Sequence, residues 1–153
     1  MNKVNLKELA EQMDFMIDEY SYFVNKATGK IVYIENRFLG YAEDGEAPDN
    51  LSDWELDELQ MANHLLDEWD NLIRFPNKHD LNGYGLMEDF IETLQDNHII
   101  KALSIAISGK GAFRRFKDTA HNFGVIEQWY EFKDQSVMKF AREWCKDNGL
   151  TAG

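Results

Sequence analysis

Apolar residues recur at helical spacing over most of the chain, and two short runs rich in Tyr, Phe, Val and Ile lie near its start. Asn5 is placed to cap the first predicted helix, with Glu8 three residues on. The same three-to-four-residue repeat marks further predicted helices with these apolar faces: Leu59, Ala62, Leu66 and Trp69; Leu86, Phe90, Ile91 and Leu94; Ile99, Leu103 and Ile107; Phe113, Phe116, Ala120 and Phe123; Ile126, Trp129, Tyr130, Val137, Phe140, Ala141 and Trp144. The pattern therefore predicts a mostly helical protein.

Three of the predicted helices carry a recognisable signal at one end. Ser52 and Glu55 match a capping box, which predicts a helix from Ser52 to about Asn71. Asp96 is a residue type that caps the start of helices, and Gly124 is typical of a helix end. These signals predict where the helices begin or end, which the apolar repeat alone does not determine.

Two segments near the N-terminus are typical of β-strands. Residues 20–25 and 30–35 are rich in Tyr, Phe, Val and Ile and flank a turn that ends at Gly29, which predicts a β-hairpin. Residues 72–75 are short, apolar and followed by Pro76, which indicates a further short strand. Because a lone hairpin is marginally stable in water, we expect it to pack on helices, pair with this strand, or pair through its edge with a second copy as a homodimer.

The segment that follows the hairpin is interpreted as an exposed loop, because residues 36–50 combine acidic side chains, two glycines and Pro48. The elements together predict an α+β fold that is mostly helical. It comprises an N-terminal helix, the hairpin with or without one short strand, and four or five further helices. The length of 153 residues fits a single domain over residues 1–153.

Charge and cysteine content narrow the class of protein. Asp and Glu number 28 against 16 Lys and Arg, and the resulting net charge of −12 repels nucleic acid and anionic membranes at long range. The single cysteine, Cys145, excludes an intrachain disulfide framework and fits a reducing compartment. No apolar run has the length of a signal peptide or a membrane-spanning helix, so we expect a cytoplasmic protein without a membrane partner.

One short stretch, Ser108 to Asp118, runs against this acidic composition. It joins a glycine turn, a helix start and a cluster of basic side chains. The first turn of a helix already carries unpaired N–H groups and the positive end of the dipole, so cations are disfavoured there unless an anion lies nearby. We therefore interpret the stretch as an anion-binding surface. Its predicted residues are Gly109, Lys110, Gly111, Arg114, Arg115, Lys117 and His121.

The anion has three candidate sources: a carboxylate of the chain itself, a carboxylate of a partner protein, or a phosphate-bearing ligand. Within the chain, Asp67, Glu68 and Asp70 crowd the end of a predicted helix, where the dipole disfavours acids. Contact between these acids and the basic stretch would explain why each cluster lies at a helix end that disfavours its charge. The Gly-Lys-Gly sequence is not a P-loop, because Ser104 and Gly111 occupy the places that this motif reserves for glycine and for Ser or Thr.

Aromatic residues beyond this stretch suggest a stacking platform for the bases of single-stranded nucleic acid. The four rings belong to Trp129, Tyr130, Phe132 and Trp144. Helical spacing favours burial for most of them, and Phe132, which fits the apolar stripe least well, is predicted to be the most exposed.

Patterns of known catalytic and metal sites are missing from the sequence. The histidines at 64, 79, 98 and 121 do not pair at helical spacing, and Cys145 has no base nearby in sequence. We therefore expect no metal and no cofactor. The sequence favours a non-enzymatic interaction module that binds an acidic protein partner. The alternative is a binder of a phosphate-bearing ligand or of single-stranded nucleic acid at the same residues.

Several blocks together resemble a bacterial family of uncharacterised proteins, family 0158. The most specific block is GKGAFRRFKD, followed eleven residues later by Trp129-Tyr130; the tyrosine-rich hairpin, the strand before Pro76 and Phe90-Ile91 add to it. The resemblance covers most of the chain. It implies a small cytoplasmic bacterial protein, and it brings no established activity, cofactor or catalytic residue.

Overall fold

Seven α-helices and five short strands make up the part of the chain that the computed structural model describes, residues 3–153 without the side chain of Lys78. In chain order they are β1 (Lys3–Val4), α1 (Leu6–Asp14), β2 (Tyr20–Asn25), β3 (Ile31–Glu35), α2 (Asn36–Asp44), α3 (Asp53–Asp67), β4 (Leu72–Arg74), α4 (Gly83–Glu92), α5 (Asn97–Ala106), α6 (Ala112–Asn122), α7 (Ile126–Asp147) and β5 (Thr151–Ala152). The predicted α+β, mostly helical fold is confirmed. Six helices follow α1, one more than the upper number predicted.

Contacts within the chain divide it into two compact units. The first comprises the residues up to Pro76 together with Ala141–Gly153, and the second comprises Asn77–Phe140. Helix α7 contributes residues to both units. This division does not test the prediction of a single domain over residues 1–153, which stays a prediction.

The first unit is built around a three-stranded antiparallel sheet in the order β3-β2-β4. The predicted hairpin is therefore confirmed, and the predicted short strand pairs with it. One face of the sheet packs on α2 and α3, where Phe23 and Ile34 meet Phe38. On the other face the ring of Phe75 packs on Tyr22 and on Trp144 of α7. Both faces of the central strand are covered, which explains why Ser21 to Asn25 of β2 are all buried.

Strand β3 forms one edge of this sheet. The N–H of Asn25 donates to the carbonyl of Lys30, so the even-numbered residues of β3 are those that bond to β2. The N–H and C=O groups of Ile31 and Tyr33 consequently point away from β2, where the described chain places no further strand. Pairing of this edge with a second copy stays a prediction.

Helix α2 occupies residues that were predicted to be an exposed loop, and that prediction was wrong. Phe38 is completely buried and Leu39 nearly so, and both pack in the core of the first unit. The helix ends at Gly45, which adopts the left-handed conformation typical of a helix end. The acids and glycines that indicated a loop lie on its outer side and at its end, while its apolar residues still repeat at helical spacing.

Helix α3 begins with the predicted capping box, and it ends at Asp67 because a 3-10 turn, Trp69–Asn71, follows it. The Glu55 carboxylate accepts hydrogen bonds from the backbone N–H and from the hydroxyl of Ser52, at 3.1 and 2.8 Å. Its second oxygen lies 3.1 Å from Nη1 of Arg37. The Ser52 amide first, then its hydroxyl, with Arg37 adding to them, hold the pKa of Glu55 below its ordinary value.

We expect Glu55→Gln to weaken the protein near neutral pH and to matter less in acid. The pKa of Glu55 is lower in the folded than in the unfolded protein, so its ionised form stabilises the fold above the unfolded pKa. That contribution is lost as the pH falls through the folded pKa. Urea unfolding at a series of pH values between about 7 and 3 measures the difference between variant and wild type. Glu11→Gln, on the exposed side of α1, controls for the loss of one charge. A difference that stays constant with pH would contradict the assignment.

The second unit encloses an aromatic core contributed by α4, α6 and α7. The ring centroid of Phe116 lies 4.8 Å from that of Trp129 and 6.1 Å from that of Phe90. The predicted helix signals hold here, since Asp96 accepts from the N–H groups at the start of α5 and Gly124 has a positive φ of 73° after α6. Core formation in this unit therefore follows the predicted apolar faces in outline.

Three aromatic residues of the second unit do not lie where the sequence pattern placed them. Phe113 and Phe123 were predicted to be buried, but about half of each side chain is exposed because the buried face of α6 is narrow. Phe132 was predicted to be the most exposed ring of its group, but it is half-buried against Phe90 and Trp129. The exposed member of that group is Tyr130.

A parallel pair, β1 with β5, was not predicted because each strand has only two residues. It sets Lys3 opposite Thr151, and the N–H of Leu6 donates to the carbonyl of Gly153. Close to this pair Cys145 is buried, and burial raises the pKa of its thiol. Among the helices of the described residues, none combines the length and the apolar character needed to cross a membrane.

Candidate functional site

The predicted site residues all lie in the second unit, on the turn between α5 and α6 and on α6 itself. Gly109 and Gly111 have φ angles of 80° and 74°, a region that side chains with a Cβ disfavour. Gly111 is the residue before α6, and it has no side chain that could accept a bond from the first amides of the helix. The two glycines thus make the tight turn that was predicted and leave the start of α6 uncapped.

Arg115 binds the protein backbone. Its Nε donates to the carbonyl of Ala106 at 3.0 Å, and its two terminal nitrogens donate to the carbonyls of Ser108 and Lys110. These carbonyls belong to the end of α5 and the turn after it, where the helix dipole is negative and carbonyl groups lack helical partners. The arginine that is disfavoured at the start of α6 is therefore favoured by the end of α5.

The turn is held from α4 as well. The hydroxyl of Tyr84 donates to the carbonyl of Ile107 at 3.1 Å. The ring of Phe113 lies against Gly83, where an added Cβ would come within 3.1 Å of the ring. Side-chain donors thus occupy the carbonyls of Ala106, Ile107, Ser108 and Lys110. The N–H groups of Ala112 and Arg114 have no acceptor among the described residues.

Four basic side chains lie on the turn and on α6, and we call them the basic surface: Lys110, Arg114, Lys117 and His121. All four are exposed, and the last three lie along one flank of α6 as their helical spacing predicted. Within the second unit, no described acid forms an ion pair with Lys110, Arg114 or Lys117. The basic surface is thus open to an anion from outside the unit.

The acids that were predicted to pair with this cluster belong to the first unit. Glu68 has partners there, since Nδ2 of Asn25 donates to its carboxylate at 2.7 Å and Nε2 of His64 lies 3.6 Å from the other oxygen. The position of Glu68 at the end of α3 therefore has an explanation within its own unit. Contact of Asp67, Glu68 and Asp70 with the basic surface stays a prediction.

A groove of about 290 Å³ lies between α5 and α6 next to the turn. It is lined by Ala102, Ile105, Ala106, Arg115, Asp118 and Thr119. Ile105 is 64% exposed, more than most apolar side chains of the chain, and sequence reasoning did not single it out. The available signal was that Ile105 falls outside the apolar face of α5 that Leu103 and Ile107 define.

Other chemistry has little support in the geometry. Trp129 is only 3% exposed in the core of the second unit, so it is not available to stack a base. Within the part of the chain that the structure describes, no group of three or more His, Cys, Asp or Glu side chains is arranged to hold a metal ion.

Comparison with known proteins agrees with the resemblance carried by the GKGAFRRFKD block. The chain is 26% identical over 149 residues to the UPF0158 protein PA5073 of Pseudomonas aeruginosa, covering 96% of this chain and 84% of that protein. No solved structure matches the chain. The model of the uncharacterised protein family UPF0158 matches residues 1–152. The chain therefore belongs to the uncharacterised protein family UPF0158.

Proposed function

We propose that the protein is a non-enzymatic interaction module of the cytoplasm, whose basic surface and open α6 amides bind carboxylate groups of an acidic protein partner. The observation that carries the proposal is the combination of exposed, unpaired basic side chains with first-turn amides that lack an acceptor. Both features attract an anion, because the helix dipole adds to the charge of the side chains. Arg115 supports the surface by holding the turn rather than by binding the partner.

The distribution of charge along the chain supports the same proposal. Between Asp96 and Glu127 the sequence has five of its 16 Lys and Arg residues but only one of its 28 acids, Asp118. This segment therefore attracts an acidic partner at short range, although the net negative charge of the whole chain repels such a partner at long range. The overall charge of −12 opposes a polyanion such as nucleic acid more strongly than a short acidic peptide.

The proposal is tested with a fluorescently labelled decaglutamate peptide, whose binding to the full-length protein is measured by anisotropy at about 50 and 300 mM salt. We expect binding that weakens with salt. The triple variant Lys110→Glu, Arg114→Glu, Lys117→Glu should weaken it about tenfold or more, because each surface charge pair contributes up to about 1 kcal/mol. The variant Lys7→Glu, Lys26→Glu, Lys139→Glu changes the net charge equally at exposed positions elsewhere and should have a much smaller effect.

Two results would count against the proposal. The first is a failure of the wild type to bind decaglutamate at the lower salt concentration. The second is an equal loss in the two triple variants, which would trace the binding to net charge alone. A labelled 20-nucleotide single strand of DNA is measured in parallel. Retention of this DNA by the wild type without retention of decaglutamate would favour the phosphate-binding alternative.

A further inference from the structure

The groove between α5 and α6 has room for a side chain, and its α5 side is apolar. We infer that it receives one apolar side chain, aliphatic or aromatic, from within the acidic segment that the basic surface binds. This inference rests on the proposed function and adds to it an apolar contact beside the contacts between charges. The acids of the partner would meet Lys110 and Arg114, and an apolar anchor would lie in the groove.

The dimensions of the groove favour a side chain over a cofactor or a nucleotide. Its volume of about 290 Å³ lies at the lower end of the range of about 300 to 1,000 Å³ that is typical of small-molecule sites, so it is small for a cofactor or a nucleotide. Its α5 side is formed by the small residues Ala102 and Ala106 and by the exposed Ile105. An exposed branched side chain beside small residues gives an apolar anchor a surface to pack on, and such anchors dominate the energy of peptide recognition.

Arg115 changes the chemistry that the groove offers. It lines the groove, yet its Nε and both terminal nitrogens already donate to the carbonyls of Ala106, Ser108 and Lys110. Three of its five N–H groups are therefore taken, and the guanidinium cannot turn toward a phosphate without breaking these hydrogen bonds. What it presents to an occupant is its apolar stem and the weakly hydrated plane of the guanidinium, which pack well against apolar and aromatic groups. The same three hydrogen bonds hold it in place before a partner arrives, so little side-chain entropy is lost on binding.

Charge complementarity identifies the occupant. Lys101 precedes Ile105 by one helical turn on α5, and Lys110 and Arg114 follow in the turn and in α6. Asp118 is the single acid between Asp96 and Glu127, and it lines the groove. An apolar side chain flanked by acids would thus have cations one helical turn before two of the groove residues, with Lys101 before Ile105 and Arg114 before Asp118. Asp118 would oppose such a segment, which makes it a useful position for a test.

The test is a selection from a displayed library of random 12-residue peptides against the full-length wild type. We expect enriched peptides to combine several Asp or Glu with one Leu, Ile, Phe or Trp at a constant spacing from them. An enriched peptide should bind Ile105→Ser about tenfold more weakly, while decaglutamate binding stays unchanged. Asp118→Asn should bind the peptide more tightly. Leu56→Ser, at an exposed apolar residue of α3, is the matched control and should bind as the wild type does.

The outcomes separate the inference from the proposed function. Enriched peptides that are acidic but have no preferred apolar position, or that bind Ile105→Ser undiminished, overturn the groove and leave the proposed function standing. Loss of decaglutamate binding together with enriched peptides that lack acids overturns both. If sedimentation shows that the wild type self-associates and that Ile105→Ser does not, the groove belongs to a second copy and the inference is wrong. Single-stranded DNA that binds the wild type but not Ile105→Ser would likewise overturn it.

Discussion

Replacing Phe116 with alanine is expected to lower the free energy of unfolding by about 3 to 5 kcal/mol, the range for removing a buried phenylalanine. Phe116 is completely buried, and its ring packs edge-on against Trp129 and Phe90 in the core of the second unit. Removing the ring leaves a cavity among neighbours that cannot all move to fill it. Urea unfolding followed by far-ultraviolet circular dichroism measures the change.

Phe113→Ala is the control for this prediction, because it removes the same ring from the same helix. About half of Phe113 is exposed, and its described close contact is with Gly83, so we expect a loss of about 1 kcal/mol or less. Equal losses in the two variants would show that the core of this unit is not organised around Phe116.

Arg115→Ala should lower the free energy of unfolding by about 2 kcal/mol. Removing a hydrogen bond to a charged group lowers the free energy of unfolding by about 1.5 to 3 kcal/mol. In this variant three carbonyls lose their donor. Water reaches the exposed carbonyls of Ser108 and Lys110 and replaces part of the loss, which keeps the total well below three full contributions. Arg115→Lys should restore only part of the stability, because an ammonium group cannot reproduce the planar fork of donors. Thermal unfolding and urea unfolding both report the change.

Arg114→Ala is the neighbouring control and separates support of the turn from binding of a partner. Arg114 is exposed, without an ion pair inside its unit, so its loss should change stability by about 0.5 kcal/mol or less. It should nevertheless weaken the binding of decaglutamate. If Arg115→Ala proves as stable as Arg114→Ala, the hydrogen bonds to the turn carbonyls do not stabilise the fold.

The parts of the fold that sequence reasoning found are those governed by rules of short range. The capping box at Ser52, the cap at Asp96 and the glycine end at Gly124 each depend on residues within four positions, and each was found where expected. Helix α2 was missed because its acids and glycines were given more weight than the apolar repeat that carries Phe38. Burial of that side chain depends on α3 and on the sheet, which the local sequence does not reveal.

Anion binding by the predicted site residues stays a prediction, and the sequence did not indicate the contacts that Arg115 makes. Helical spacing places Arg114 and Arg115 about 100° apart around α6. This spacing could not show that Arg115 donates to carbonyls at the end of α5 and in the turn, because a pattern of side chains does not reveal which backbone carbonyls are available. Ile105 was overlooked for a related reason. An apolar residue off the main face becomes informative only when the neighbouring helix forms a groove beside it.

The tryptophans are divided unevenly between the two units. Trp129 is the single tryptophan of residues 77–140, whereas Trp54, Trp69 and Trp144 belong to the first unit. Its indole N–H is buried and has no hydrogen-bond acceptor among the described residues. The fluorescence emission of Trp129 should therefore peak at short wavelength and shift to the red only when the second unit unfolds. A protein in which the other three tryptophans are replaced by phenylalanine would carry a built-in optical probe for that half of the chain.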